Sequence, residues 1–346
     1  MTGRERVRCA MDFRPVDIAP LQYFYVQVGY YEHGEKLNDL FSTLPGDFEP
    51  FSRKPIPIPG PEEYEADGTY HSFERDDWGT LRERRIFGVW GIPSEYPLHD
   101  LGRLDSYRPP QPPALSGPEF DALCEATRAH KKHYYKLHHT GSLLERMCAL
   151  RRDADVLCDI ALDEPDIHRM ADMIVDRCAA EVELAIKTKA DGIGFGDDYG
   201  TERGLLMSPE MWRRFFMPRL SRLFEPAREA GLDVVFHSCG KLMELLPDLR
   251  EVGATAIWPQ LPAFNMAELA QRCRELGLSV AVHTDRANAM TTGKPQDVKD
   301  LVKREYETFW MWAGGSWFYV EADNGFPFEN IEALVEQIAE YRKSGR

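Results

Sequence analysis

The chain has 346 residues, of which 43% are hydrophobic and 29% charged, and its formal net charge is −15. That length can bury a large core, in one big domain or two ordinary ones. The acidic balance disfavours a nucleic-acid partner, which depends on clustered Lys and Arg, and no apolar run reaches the roughly 20 residues that span a bilayer. The start, residues 1–8, is polar and basic with no apolar signal core behind it. Seven scattered cysteines without a CxxC pair suit reduced thiols in a cytoplasm. The expectation is a cytoplasmic enzyme with no membrane segment.

The first 115 residues read as irregular. Residues 4–11 suit a short helix and 19–28 an aromatic-rich strand. Residues 46–113 are rich in Pro and Gly and include Lys54-Pro-Ile-Pro-Ile-Pro-Gly-Pro61. Within them, 71–77 and 80–87 alternate in polarity, which predicts a β-hairpin across Asp77-Trp78-Gly79. Residues 108–113, Arg-Pro-Pro-Gln-Pro-Pro, read as an extended connector. Residues 30–115 are therefore expected as an elaboration over one end of a single domain spanning 1–346.

From residue 117 the pattern becomes regular. Helices are predicted over 118–132, 143–150, 165–190, 209–230, 242–252, 266–276, 298–312 and 331–341. Met170, Met173, Ile174 and Val182 show the helical spacing of a buried face. Strands are predicted over 134–139, 192–195, 234–236, 256–258, 279–282 and 317–320. Strand–helix alternation over more than two hundred residues means a parallel sheet with helical crossovers. Seven or eight such units fit an α/β fold of the (β/α)8 TIM-barrel type. No Gly-rich fingerprint follows the first strand, which weakens a dinucleotide-binding alternative.

Active sites of such barrels lie at the carboxyl ends of the strands. Those ends carry Asp197 and Asp198, His237 and Cys239, Trp258, His283 and Asp285, and Glu321 and Asp323. Residues two apart on a strand share a face, so His237 and Cys239 can aim an imidazole and a thiolate at one point. That is two-thirds of a zinc site with an open position. Each residue also has a structural reading. Asp197 or Asp198 suits a helix cap or an Asx-turn, and being adjacent they leave the strand in opposite directions, so one at most faces the pocket. His283 could be a satisfied core histidine, Asp285 a solvated turn residue, and one of Glu321 and Asp323 surface decoration before Asn324-Gly325. His138 and His139 end the strand predicted from Tyr134 and are weaker candidates.

The run Gly196-Asp-Asp-Tyr-Gly-Thr-Glu-Arg-Gly-Leu-Leu-Met-Ser-Pro-Glu-Met-Trp212, followed by Phe236-His-Ser-Cys-Gly240, resembles the uroporphyrinogen decarboxylase superfamily. Arg4-Glu-Arg-Val-Arg8, Pro15-Val-Asp17, Thr291-Thr-Gly-Lys-Pro-Gln-Asp-Val298 and Glu329-Asn-Ile331 extend the resemblance over almost the whole chain. It implies a (β/α)8 barrel, and a homodimer would suit it. Decarboxylases of that family carry an N-terminal Arg-Gln-Ala-Gly-Arg-Tyr segment that grips carboxylates. Here the stretch is Tyr23-Phe-Tyr-Val-Gln-Val-Gly-Tyr30, without arginine, so a porphyrinogen substrate is not expected.

The other branch resembled comprises zinc methyltransferases that exchange methyl groups with a corrinoid protein. Its motif resembles His-x-Cys plus a distant Cys. His237 and Cys239 match the first two positions, and with no cysteine near residue 323 the expected third ligand is Asp323 or Glu321. On this resemblance a metal acts on a small-molecule substrate, Asp197 or Asp198, Asp285 and His283 orient it or shuttle the proton, and Tyr23, Tyr199 and Trp258 bind it. No corrinoid-binding Asp-x-His-x-x-Gly motif occurs, so a corrinoid would arrive on a separate protein. The second reading is a lyase that decarboxylates a small acid held by Arg203 and Arg286. A third is a ligand-binding barrel without catalysis.

Overall fold

The computed structural model describes residues 1–344. Among them run ten strands: β1 (Leu21–Tyr23), β2 (Ser72–Arg75), β3 (Leu81–Arg84), β4 (Ile92–Glu95), β5 (Leu137–Gly141), β6 (Gly192–Gly196), β7 (Asp233–Ser238), β8 (Ala256–Pro259), β9 (Ser279–His283) and β10 (Ser316–Val320). Seven form a parallel sheet in the order β1-β10-β9-β8-β7-β6-β5, and β2, β3 and β4 form a separate antiparallel sheet.

Both faces of the parallel sheet are apolar, as helical crossovers require. On the outer face, Ile193, Phe195, Val234, Phe236, Val280, Val282, Phe318 and Val320 pack against the helices. The alternate residues Val235, Ala256, Ala281, Trp317 and Tyr319 share an inner cluster with Val7, Met11, Phe48 and Tyr135. The two edges of the sheet meet at one residue. Asp47 N donates to Leu21 O at 2.8 Å, and Tyr135 N donates to Asp47 O at 3.0 Å. A sheet in which one edge strand and the chain entering the opposite edge strand reach the same residue is curled around an interior. The buried Asp47 carboxylate ties both chain ends to this seam. It accepts from Leu21 N at 2.8 Å, from Arg342 Nη1 at 2.7 Å and from Arg6 Nη1.

The inner face of β6 consists of Gly192, Gly194 and Gly196. A Cβ at Gly194 would lie 2.8 Å from His139 Nδ1, and one at Gly192 would lie 2.6 Å from the Tyr135 hydroxyl. Bare backbone on this strand is what leaves room for large rings from its neighbours.

The expected alternation is present, with differences that have physical causes. The 19–28 segment is a strand only at Leu21–Tyr23 and then becomes the helix Gln27–His33. Its Gly29 abuts the Ala322 carbonyl so closely that a Cβ would sit 2.2 Å away. The helix expected over 209–230 breaks at Phe216, because Pro218 opens a new helix, Met217–Glu229, without an amide donor. The helix Asp153–Leu162 was not anticipated. The hairpin forms with β2 and β3 around the Asp76 carboxylate, which accepts from the backbone N of Trp78 and Thr80 at 3.0 Å each, and β4 adds a third strand. This small sheet is joined to the helix Leu144–Leu150 that follows β5, through Thr80 Oγ1 to Ala149 O at 2.8 Å and Arg146 Nη1 to Asp76 Oδ2 at 2.7 Å.

The glycine face yields a prediction. Gly194→Ala pushes its methyl into the His139 ring and destabilises the fold by about 1–3 kcal/mol. Gly196→Ala, whose Cβ meets His237 Cβ at an ordinary 3.4 Å, changes stability by about 0.5 kcal/mol or less. Urea unfolding of the two variants checks this, and equal losses would contradict it.

Candidate metal centre and active site

Register brings the centre together. Gly196 of β6 pairs with His237 of β7, and His237 pairs with Trp258 of β8. Continuing the inward alternation past Gly196 leads to Asp198, and past His237 to Cys239. Asp198, His237 and Cys239 each offer a ligand atom, and these atoms lie within 4.8 Å of one another. His237 Nε2 is 3.5 Å from Cys239 Sγ and 3.4 Å from Asp198 Oδ1. The same Asp198 oxygen accepts from Cys239 N at 2.7 Å, which holds the carboxylate in place.

The imidazole tautomer follows from its partner. His237 Nδ1 lies 2.8 Å from the Trp258 carbonyl, an acceptor only, so Nδ1 carries the proton and donates. Nε2 then presents a lone pair to the sulfur and the carboxylate, the arrangement usual for a metal-binding histidine. Burial lowers the His237 pKa, which favours the neutral ring. Burial and the Asp198 charge push the Cys239 thiol up to about 12, so without a cation the sulfur keeps its proton. A nitrogen lone pair, a sulfur and a carboxylate facing one another at these distances suit a zinc-like ion with one position open.

Aromatic rings wall the neighbourhood. Trp258 lies 4.1 Å from the His237 ring and is stacked on Tyr319 at 4.2 Å, with Phe24 about 6 Å from both. Beneath them a cavity of about 100 Å³ is lined by Gln22, His139, Gly194, Gly196, His237, Trp258 and Tyr319. Trp258 Nε1 and the Tyr319 hydroxyl are buried there without a hydrogen-bond partner. Buried polar atoms normally find a partner, so these two are free to meet the polar atoms of a ligand.

The other predicted residues fall elsewhere. Glu321 and Asp323 are outside the triad because Arg286 engages both: its Nε is 3.2 Å from Glu321 Oε1, and its Nη2 contacts Asp323 Oδ2. His283 is buried against Trp258 and Tyr319, with Nε2 3.4 Å from Glu321. Asp285 turns away and receives the backbone N of Ala287 and Asn288 at 2.8 and 3.0 Å, the Asx-turn alternative. Asp197 is fully buried and caps the helix Leu144–Leu150, accepting from Leu143 N at 3.1 Å and Glu145 N at 2.9 Å. Of the adjacent aspartates, only Asp198 faces the pocket. Tyr199 is also fully buried, donates to Asp197 at 2.7 Å, and packs on Trp212, Phe216 and Phe236. Tyr23 faces outward, with its hydroxyl on Leu44 O at 2.9 Å, so its neighbours Gln22 and Phe24 face the interior instead. Arg203 stands exposed in the turn after Thr201.

Sequence reasoning missed Glu145. Loss of solvation around its carboxyl and the charges of Asp197 and Asp198 push it up to about 8, although the residue as a whole is exposed. The helical assignment of 143–150 hid it, although a carboxylate in the first turn after a strand end is a usable signal. His139 was rated below the other candidates, yet it faces the cavity while His138 pairs with Glu181 at 3.0 Å.

Thr284, next to His283, donates to buried Glu305 at 3.0 Å. Burial pushes the Glu305 carboxyl up from 4.5 to about 8. Below pH 4.5 both folded and unfolded states are protonated and nothing is lost. Between 4.5 and about 8 the unfolded chain ionises first, so stability falls as pH rises. Glu305→Gln should remove that slope and be more stable than the parent above pH 8 by at least about 1 kcal/mol. Parallel stability–pH curves for the two proteins would contradict this.

A family model of uroporphyrinogen decarboxylase (URO-D) matches residues 93–341. Among solved structures, a methyltransferase from Methanosarcina mazei shares the fold at TM-score 0.63 and 14% identity, covering 99% of each chain. A dihydropteroate synthase from Stenotrophomonas maltophilia aligns with 50% of this chain and 64% of its own at 14% identity and TM-score 0.37, too remote to carry argument. Comparison with curated proteins gives no match. No helix among the described residues is long and apolar enough to cross a membrane. With the family model covering well over half of its length, the chain belongs to the uroporphyrinogen decarboxylase family.

Proposed function

We propose that the curled sheet is a (β/α)8 barrel of the URO-D type, and that the protein is a zinc-dependent methyltransferase passing a methyl group between a small molecule and a corrinoid carried by a separate protein. The observation that carries this reading is the convergence of Asp198, His237 and Cys239, with the imidazole lone pair turned inward by the Trp258 carbonyl. Family membership and the fold shared with a methyltransferase agree with it. Seven free cysteines agree with a cytoplasmic setting.

Asp198, His237 and Cys239 would hold the zinc, which when bound supplies Lewis acidity toward a substrate sulfur or oxygen. Asp198 takes the role first assigned to Asp323 or Glu321. Trp258, Tyr319 and Phe24 hold the apolar part of the substrate and exclude water. Arg286 pairs with Glu321, and His283 packs against Trp258 and Tyr319, which keeps that wall in place. Glu145, which lines the adjoining cleft and whose charge reaches Cys239, is assigned as the proton donor to the atom that loses the methyl group. Decarboxylation fits less well, because Arg286, whose charge reaches His237 and Cys239, is already engaged by two carboxylates.

Equilibrium dialysis should give about one zinc per chain. Asp198→Asn, His237→Ala and Cys239→Ala should each weaken binding at least about tenfold, the lower end of what losing even an outer-shell partner costs, while Asp323→Asn leaves it unchanged. A protein that stays metal-free in excess zinc would sink the proposal.

The acid role of Glu145 has a sign. Its carboxyl is protonated below about pH 8, so kcat should fall as pH rises through that value. A cation beside Asp198 cancels part of the charge that raises it and moves the limb to lower pH. Glu145→Gln should abolish the limb and lower kcat by about 100-fold or more. Full activity in that variant would remove Glu145 from the mechanism.

A further inference from the structure

The cleft between the three-stranded sheet and the helix Leu144–Leu150 holds an imbalance of charge that the metal centre does not use. It measures about 700 Å³ and includes Arg82, Trp90, Ile92, Tyr96, Glu145 and Arg146 in its lining. Arg82 is 8% exposed, yet its Nε has no hydrogen-bond partner. Its remaining contacts are weak: Nη1 lies 3.4 Å from the Gly91 carbonyl, Nε is 4.0 Å from Asp76 Oδ2, and the guanidinium lies 5.0 Å above the Trp90 ring. Asp76 cannot satisfy it, because the same oxygen accepts from Arg146 at 2.7 Å and the other accepts two backbone amides. Two guanidinium groups therefore share one carboxylate. Arg152 and Asp153 stand at the exposed rim, with Arg152 paired to Asp155 at 2.9 Å and Asp153 accepting from Ala154 N.

A cation removed from water without a full partner is costly, and the cost falls when a ligand anion completes it. The planar fork of arginine matches a carboxylate or phosphate in two-point contact. Trp90, Ile92 and Tyr96 supply an apolar wall beside it, with the Trp90 ring 61% exposed and open to stacking. Glu145 belongs both to this cleft and to the electrostatic surroundings of the triad, so the two regions adjoin.

We infer that Arg82 and Arg146 form an anion subsite, and that the substrate has an anionic head on an apolar body, bound with its head in this cleft and its methyl-bearing atom toward the triad. The second half of that statement rests on the methyltransferase reading, and the subsite itself does not.

The test is calorimetric titration of the whole protein, with and without zinc, using benzoate, phenyl phosphate and benzyl alcohol as probes. Saturable binding of benzoate or phenyl phosphate but not benzyl alcohol is expected, independent of zinc. Binding of benzoate alone assigns a carboxylate head, and tighter phenyl phosphate assigns a phosphate. Arg82→Met should weaken the anion by about tenfold or more, the scale of one charge-assisted contact, with Arg82→Lys intermediate and Arg146→Lys weakened as well. Should Arg82→Met fail to fold, the two lysine variants decide the matter. Equal binding of the neutral probe, no binding of either anion, or binding unchanged in the folded variants would overturn the inference. Zinc-free protein that still captures the anion leaves the subsite standing even if the metal proposal fails.

Discussion

A single hydrogen bond, from His237 Nδ1 to the Trp258 carbonyl at 2.8 Å, sets the chemistry available to this protein. It fixes the protonated nitrogen on the side of the neighbouring strand and leaves the other lone pair directed at Cys239 and Asp198. The bond exists because β7 and β8 pair in a register that sets His237 against Trp258. A slip of one residue would turn the imidazole to the outer, helix-covered face. The geometry the proposed metal site needs is thus a property of strand register, and register is held by the apolar outer faces of β6, β7, β9 and β10.

The interior depends on what is missing as much as on what is present. Gly192 and Gly194 on β6 give up packing area so that Tyr135 and His139 can occupy the space, and the same alternation delivers Asp198 to the centre. Opposite, Trp258, Tyr319 and Phe24 fill the curve with rings. The result is a largely aromatic surround in which a few unpartnered polar atoms carry high electrostatic stakes. Arg286 answers the buried charge of Glu321, while Arg82 in the adjoining cleft is left without an equivalent partner.

Much of this was legible in the sequence. Strand–helix alternation after residue 117 gave the parallel architecture, because period-2 and period-3.6 burial leave distinct patterns. Reading only strand ends picked out His237, Cys239, Asp198 and Trp258. The third ligand was placed on Asp323 or Glu321 by family resemblance, whereas strand adjacency supplies Asp198: β6 lies beside β7, and β10 is three places away. The sequence could not reveal that Arg286 would claim both distal carboxylates, or that Asp197 and Tyr199 would turn into the core, since these are tertiary contacts. The N-terminal third was harder because short strands such as β1 and β4, set in Pro-rich chain, carry little periodicity. Tyr23 went to the outer side for the plain reason that alternation put Gln22 and Phe24 inside.

The most direct test of the central claim is the visible and near-ultraviolet spectrum of the protein loaded with cobalt(II) in place of zinc. A thiolate-to-cobalt charge-transfer band should appear on titration, reach saturation at about one ion per chain, and vanish in Cys239→Ser while the protein stays folded. Saturable cobalt binding with no thiolate band, or a band that survives in Cys239→Ser, would mean that the ion is held elsewhere and that the geometry around His237 serves another purpose.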